Sequence, residues 1–332
     1  MATTPQILDE IDVSDPKPFR SEIEEISNTP LPYELECWVR EYEMVGHRDE
    51  FLWKWCLRAI EVTSLPSVDQ DLRDWNNQTK LLGVMLVVVL DDIGDNTQDS
   101  EFVEKLLTIL TNCMNGRTNF NSLNIIQRKK AQFALKLWKT IYKRVGSYPR
   151  FDELKELLRY DYLQVFNIIR YSALINKVPT AINMTEHNLY TPHNMHMVVH
   201  GTMDLMCSSG FSFNELGKIR GILWLGSCMG RAGNLTTTWE RELYEHDFSS
   251  GVYALALDEG YLTSDELHTL DPEEIRRRIR KHRCEEYYLM HWYQYRENIC
   301  FLSKKVKSLD VMGYVYGLDN LLRLHLGSRG LK

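Results

Sequence analysis

The sequence has no excess of basic charge: 39 Lys and Arg stand against 46 Asp and Glu, for a net charge of -7. That balance lacks the electrostatic footprint of a nucleic-acid binder, so an anionic ligand has to be met by metal ions or by a local basic patch. There is no Cys-x-x-Cys pair. The seven cysteines (Cys37, Cys56, Cys113, Cys207, Cys228, Cys284 and Cys300) are scattered and odd in number, which fits a reducing cytoplasm better than a disulfide framework or a zinc site. No basic-then-apolar leader follows Met1, so no secretory signal is expected, and the apolar run from Leu81 to Leu90 is too short to insert across a bilayer. No useful period-2 alternation and no internal repeat are present, which argues against β and solenoid architectures.

What is present is helical spacing. Half of the ten prolines (Pro5, Pro16, Pro18, Pro30 and Pro32) fall within the first 32 residues, so residues 1–31 read as an irregular N-terminal arm. From 32 to 332 the chain reads as one all-α domain. Leu35, Trp38, Val39 and Tyr42, then Phe51, Trp55, Leu57 and Ile60, follow a 3.6-residue period. Further helices are expected from Ser100, over 125–145 up to Gly146, and through Leu154 to Ile169, with a polar loop up to about Pro192. Thr263 with Glu266 forms a capping box, and Asp271-Pro272-Glu273-Glu274 combines a cap, an N1 proline and an acidic first turn. The basic run from Arg276 to Arg283 reads as a solvated helix face.

The apolar run Leu81–Leu90 ends in Asp91-Asp92-Ile93-Gly94-Asp95. On a helix Asp91 and Asp95 share a face, with Asp92 beside them, and their mutual repulsion at a helix C-terminus calls for a cation. Oxygen ligands without His or Cys suit Mg²⁺; a solvated acidic turn is the other reading of the same residues. By the same spacing Val84, Val87 and Val88 face the way Asp91 does.

A second stripe follows at Asn234, Thr238 and Glu242, four residues apart, which puts an amide, a hydroxyl and a carboxylate on one helix face beside Arg241. All three offer oxygen to a second cation, and Arg241 could reach a phosphate. Gly226, Gly230 and Gly233 precede the stripe and would let a substrate or a neighbouring helix approach. The alternative is a plain polar face, although three successive threonines are poor helix formers.

Together these residues resemble the two metal motifs of microbial-type class I terpene cyclases: Asp-Asp-x-x-Asp at Asp91, Asp92 and Asp95, and Asn-x-x-x-Ser/Thr-x-x-x-Glu at Asn234, Thr238 and Glu242. The resemblance covers most of the chain from Trp38 and includes Gly317-Leu318-Asp319-Asn320 and Arg329 near the C-terminus. It implies an antiparallel helical bundle around an apolar cavity, with the catalytic residues Asp91, Asp92, Asn234, Thr238 and Glu242 at its mouth. Three Mg²⁺ ions would bind with substrate, ligated by those residues and Asp95, and Arg241 and Arg329 would bind diphosphate. The substrate implied is farnesyl or geranylgeranyl diphosphate, ionised and cyclised with loss of diphosphate; homodimers are common in the family.

The chain also departs from the family pattern. Arg329 is followed by Gly330 instead of Tyr, and no Arg lies between Lys177 and Gly201, where a diphosphate-sensing arginine is expected. Asn194 stands near that place and Arg170 is the nearest upstream arginine. Phe166, Trp224, Tyr314 and Tyr316 are the candidate aromatic cavity walls. Three other readings compete. A chain-elongating prenyltransferase would carry a second aspartate-rich motif, a non-catalytic helical scaffold would leave both stripes on the surface, and water capture would give a linear alcohol.

Overall fold

Helical spacing in the sequence becomes helix along the described chain, which comprises residues 20–94, 100–112, 120–245 and 247–331 of a computed structural model. The order is α1 (Arg20–Asn28), α2 (Tyr33–Tyr42), α3 (Glu50–Thr63), α4 (Gln70–Gly94), α5 (Ser100–Asn112), α6 (Ile125–Val145), α7 (Phe151–Lys177), α8 (Met184–Tyr190), α9 (Met197–Met206), α10 (Leu216–Tyr244), α11 (Gly251–Asp258), α12 (Ser264–Thr269), α13 (Pro272–Lys281), α14 (Cys284–Ser303) and α15 (Val311–Gly327). No strand occurs among the described residues. None of the described helices is long and apolar enough to cross a membrane.

Local signals set the helix ends. Asn124 caps α6 reciprocally with Gln127, and Thr263 does the same with Glu266 at α12, satisfying amides that a helix start leaves open. Asp271 accepts from the Glu273 amide ahead of Pro272. The arginines of α13 are engaged by acids: Arg277 with Glu274, Arg278 with Glu274 and Glu266, and Arg280 with Glu240.

Two expectations need correction. The arm expected to be irregular contains α1, because Ile23 and Ile26 lie one helical turn apart and both are buried, with α1 packed on α3. The loop expected before Pro192 contains α8, started by the Asn183 side chain accepting from the Glu186 amide, and a 3₁₀ turn over Thr191–Met195.

The bundle is built around two long helices. One is α10, packed against α14, α15 and α9; the other is α4, packed against α3, α6 and α7. Between them the chain breaks at His196, a non-glycine residue with φ of 60° that joins the 3₁₀ turn to α9. Both long helices approach this break through a glycine. A Cβ on Gly83 would stand 2.6 Å from His196 Cε1, and one on Gly230 2.6 Å from Met197 Sδ. From there α4 runs on to Asp91 and α10 to Asn234, Thr238 and Glu242. The two oxygen-rich stripes are therefore delivered to the same end of the bundle.

A deeply buried ion pair ties α4 to α9. Lys80 and Asp204, each about 1% exposed at the side chain, form a salt bridge. Asp204 also accepts from the Leu65 amide at 2.9 Å and from Asn76 at 2.7 Å, and Lys80 donates to Ser64 at 2.8 Å. Such a pair has to satisfy all its polar atoms to offset the loss of hydration, and this one nearly does.

Candidate active site

A cavity of about 440 Å³ opens where the two stripes meet. That size is ordinary for a small-molecule site. Its apolar wall includes Leu52, Trp55, Ile60, Val84, Val87, Val88 and Leu321. Its polar wall includes Arg48, Asp91, Asp92, Asn194, Arg231, Asn234, Thr238, Arg241, Glu242 and Asp247. Val84, Val87 and Val88 precede Asp91 on α4 by two turns or less, so the surface changes from oxygen to hydrocarbon over about 10 Å of helix.

The two aspartates at the end of α4 differ. Arg48, in the segment between α2 and α3, donates to Asp92 Oδ1 from Nη2 at 2.6 Å and from Nε at 3.0 Å, and the Tyr42 hydroxyl donates to its Oδ2 at 3.1 Å. Asp92 is thus already neutralised. Among the described residues Asp91 has only the Asn194 amide, at 3.5 Å, as a side-chain hydrogen-bond partner. Burial, then the negative charges of Asp247 and Asp92, push its pKa up to about 7, against the pull of Arg231 and Arg48. Asp95 lies outside the described residues.

On α10 the threonine run is accounted for. Thr236 returns its hydroxyl to the Gly233 carbonyl, and Thr237 to those of Gly233 and Asn234, which quiets both hydroxyls within the helix. Thr238 bonds the Asn234 carbonyl and also donates to Glu242 Oε1 at 2.6 Å. Glu242 Oε2 is buried without a partner among the described residues, and burial followed by Asp247 raises this carboxyl's pKa. Gly226, Gly230 and Gly233 accommodate neighbouring side chains, namely Tyr314, Met197 and His325.

The donor set fits a hard divalent cation. Asp91, Asn234, Thr238 and Glu242 offer only oxygen, Glu242 Oε2 is orphaned, and both carboxylates are under electrostatic stress that a cation relieves. Among the described residues no three His, Cys, Asp or Glu side chains are already gathered for a metal, so the amide and hydroxyl of α10 are needed to complete a site.

Several residues nominated from the sequence are placed elsewhere. Arg170 pairs with Glu104 on the surface at 2.8 Å. Arg329 is bound to Glu285 at 2.6 Å and lies near Glu240, away from the cavity lining. Phe166 packs in the core against Trp138, Trp224 lies against His193, and Tyr316 is 64% exposed. Tyr314 fills the space beside Gly226 and borders a separate void of about 10 Å³.

Sequence reasoning missed Arg231, Arg48, Asp247, Trp55 as a wall residue, and the imidazoles of His196, His200 and His325. Arg231 could have been found, since it sits three residues before Asn234 on the same helical stripe. His196 and His200, also four apart, bond to each other through Nδ1 and Nε2 at 2.9 Å. Burial lowers His196 to about 3 and His200 well below its usual value, so the rings are neutral near pH 7. Trp55 supplies the large ring that the other four aromatics do not.

No protein-family model matches the sequence, and no curated protein sequence matches it. Solved structures do. The fold is that of the class I terpenoid synthases. The linalool/nerolidol synthase of Streptomyces clavuligerus, solved with 2-fluorogeranyl diphosphate, matches with a TM-score of 0.55 and 12% identity over 94% of this chain and 97% of its own. The isoprene synthase of grey poplar leaves matches with a TM-score of 0.54 and 13% identity over 94% of this chain, which spans 53% of that enzyme. The heptaprenyl diphosphate synthase of Staphylococcus aureus matches with a TM-score of 0.50 and 9% identity over 94% of this chain and 98% of its own.

Proposed function

We propose that this protein is a Mg²⁺-dependent terpene cyclase that ionises farnesyl or geranylgeranyl diphosphate, closes the resulting allylic cation on its own double bonds and releases diphosphate. The observation that carries this reading is that Asp91 and the Asn234, Thr238 and Glu242 stripe line one cavity together with Trp55, Ile60 and three valines. A neighbour in fold binds a fluorinated prenyl diphosphate, which is consistent with it.

Mg²⁺ held by Asp91, Asn234, Thr238 and Glu242 would supply Lewis-acid stabilisation of the leaving group, worth several kcal/mol. Arg241, which lines the cavity and is paired with Glu245, would turn to diphosphate oxygens when substrate binds. The valines and Ile60 exclude water from the chain of the substrate, so that the cation is attacked by its own double bonds. Trp55 lines the cavity and is the ring proposed to stabilise that cation, a contact worth about 2 kcal/mol once water is excluded. The neutral rings of His196 and His200 border the same space without adding positive charge to it. Asn234, Thr238 and Glu242 in place of a second aspartate cluster favour this reading over chain elongation.

The test is incubation of purified protein with geranyl, farnesyl and geranylgeranyl diphosphates, with and without Mg²⁺, and mass spectrometry of extracted products. A cyclic product from one substrate, only with metal, is expected. A linear alcohol would keep ionisation and reject cyclisation.

A further inference from the structure

Arg231 is about 9% exposed, borders the cavity on α10, and forms no salt bridge among the described residues. A guanidinium so far removed from water ordinarily has a carboxylate partner. Here Nη1 donates to Asn234 Oδ1 at 3.0 Å, and Nε is buried with no partner among the described residues. The amide oxygen it occupies is the one that Asn234 would offer to a divalent cation. The same guanidinium acts on both stressed carboxylates, Asp91 and Glu242, lowering the pKa of each.

We propose that Arg231 is a lock on the α10 cation site: without an anion it holds Asn234 Oδ1 and stands in for the cation, and an incoming diphosphate draws it away and frees the amide for metal. It deepens the reading above, on which it rests, by naming the residue that couples the two ligands. It also accounts for the absence of arginine at the helix break. The diphosphate-responsive guanidinium lies on α10, while Asn194 at the break bonds Asp91. Coupling of this kind is a free energy shared between two sites, so each half can be measured alone.

The experiment uses four full-length proteins: wild type, Arg231→Met, Asn234→Ala and the double variant. Mg²⁺ alone is titrated by calorimetry, with Mn²⁺ paramagnetic resonance as a second readout. Arg231→Met is expected to bind metal about tenfold tighter than wild type, and that gain is expected to vanish in the Asn234→Ala background, as a double-mutant cycle requires of two residues in direct contact. With chelator present and no metal, inorganic diphosphate is expected to bind Arg231→Met at least about tenfold more weakly than wild type. Equal metal affinity in wild type and Arg231→Met overturns the proposal. So does an equal gain in both backgrounds, which would reflect charge alone, and so does unchanged diphosphate binding. If Arg231→Met lacks the helical circular dichroism of wild type, Arg231→Gln takes its place in the cycle with the same expected signs. A protein that converts prenyl diphosphates with Mg²⁺ yet fails these titrations keeps the proposed function and loses the lock; failure of that conversion is read independently from the product assay.

Discussion

Arg48 Nη2 lies 2.6 Å from Asp92 Oδ1, so the two adjacent carboxylates that end α4 are not equivalent. Asp92 has a cation and a phenol, whereas Asp91 has one amide at the limit of hydrogen-bond reach. Asp91→Asn should therefore cut turnover on the order of 100-fold or more, because it removes a charged ligand that, among the described residues, is in no salt bridge and is left to a cation. Asp92→Asn should cost less, its main effect being to take from Arg48 its nearer carboxylate and leave it Glu245 at 3.9 Å. Steady-state diphosphate release compares the two, and a larger loss in Asp92→Asn would reverse the assignment.

The raised pKa values at the mouth predict how stability varies with pH. Asp91 titrates near 7 in the folded chain and near 3.9 unfolded, and Glu242 is raised in the same direction. Between these values the folded state holds more protons than the unfolded one, so the metal-free protein should lose stability as pH rises from about 4 to about 7. Mg²⁺ should raise the melting temperature more at pH 7.5 than at pH 5.5. Asp91→Asn should flatten both trends; melting curves at several pH values, with and without Mg²⁺, check this.

Lys80 and Asp204 hold α4 against α9 behind the cavity. Lys80→Met should destabilise the fold by about 3–5 kcal/mol, since it strands a buried carboxylate. Replacing both, as Lys80→Met with Asp204→Leu, should recover most of that loss. Denaturant melts of the single and double variants measure it, and equal destabilisation in both would mean that the pair is not the unit that matters.

Arg329 was expected at the diphosphate on the strength of its position near the C-terminus. Its contacts with Glu285, which also accepts from Trp239 at 2.6 Å, point to stability instead. Arg329→Ala should lower stability by about 1–3 kcal/mol with a smaller effect on turnover at low temperature. A sharp loss of turnover with an unchanged melting temperature would restore the original expectation.

How much of this was legible follows from how local each signal is. The bounds of α6, the capping box at Thr263 and the stripes at Asp91 and Asn234 are short-range patterns, and the structure reproduces the helices they imply. Val84, Val87 and Val88 line the cavity as their spacing from Asp91 requires. The aromatic wall was not legible, because which helices reach the cavity depends on packing among distant elements: none of the described α7 residues lines it, and α15 meets it through Leu321 and His325. Phe166 was lost to the core and Tyr316 to solvent, while Trp55 took their place. Arg48 was invisible for the same reason: it meets Asp92 across 44 residues of sequence.

The most direct test of the central claim is diphosphate release from farnesyl and geranylgeranyl diphosphates, followed by phosphorus resonance in wild type and in Glu242→Gln, with and without Mg²⁺. Release by wild type that needs Mg²⁺ and falls on the order of 100-fold in Glu242→Gln is the expected result. Release that ignores Mg²⁺, survives Glu242→Gln at the wild-type rate, or does not occur with either substrate would contradict the account.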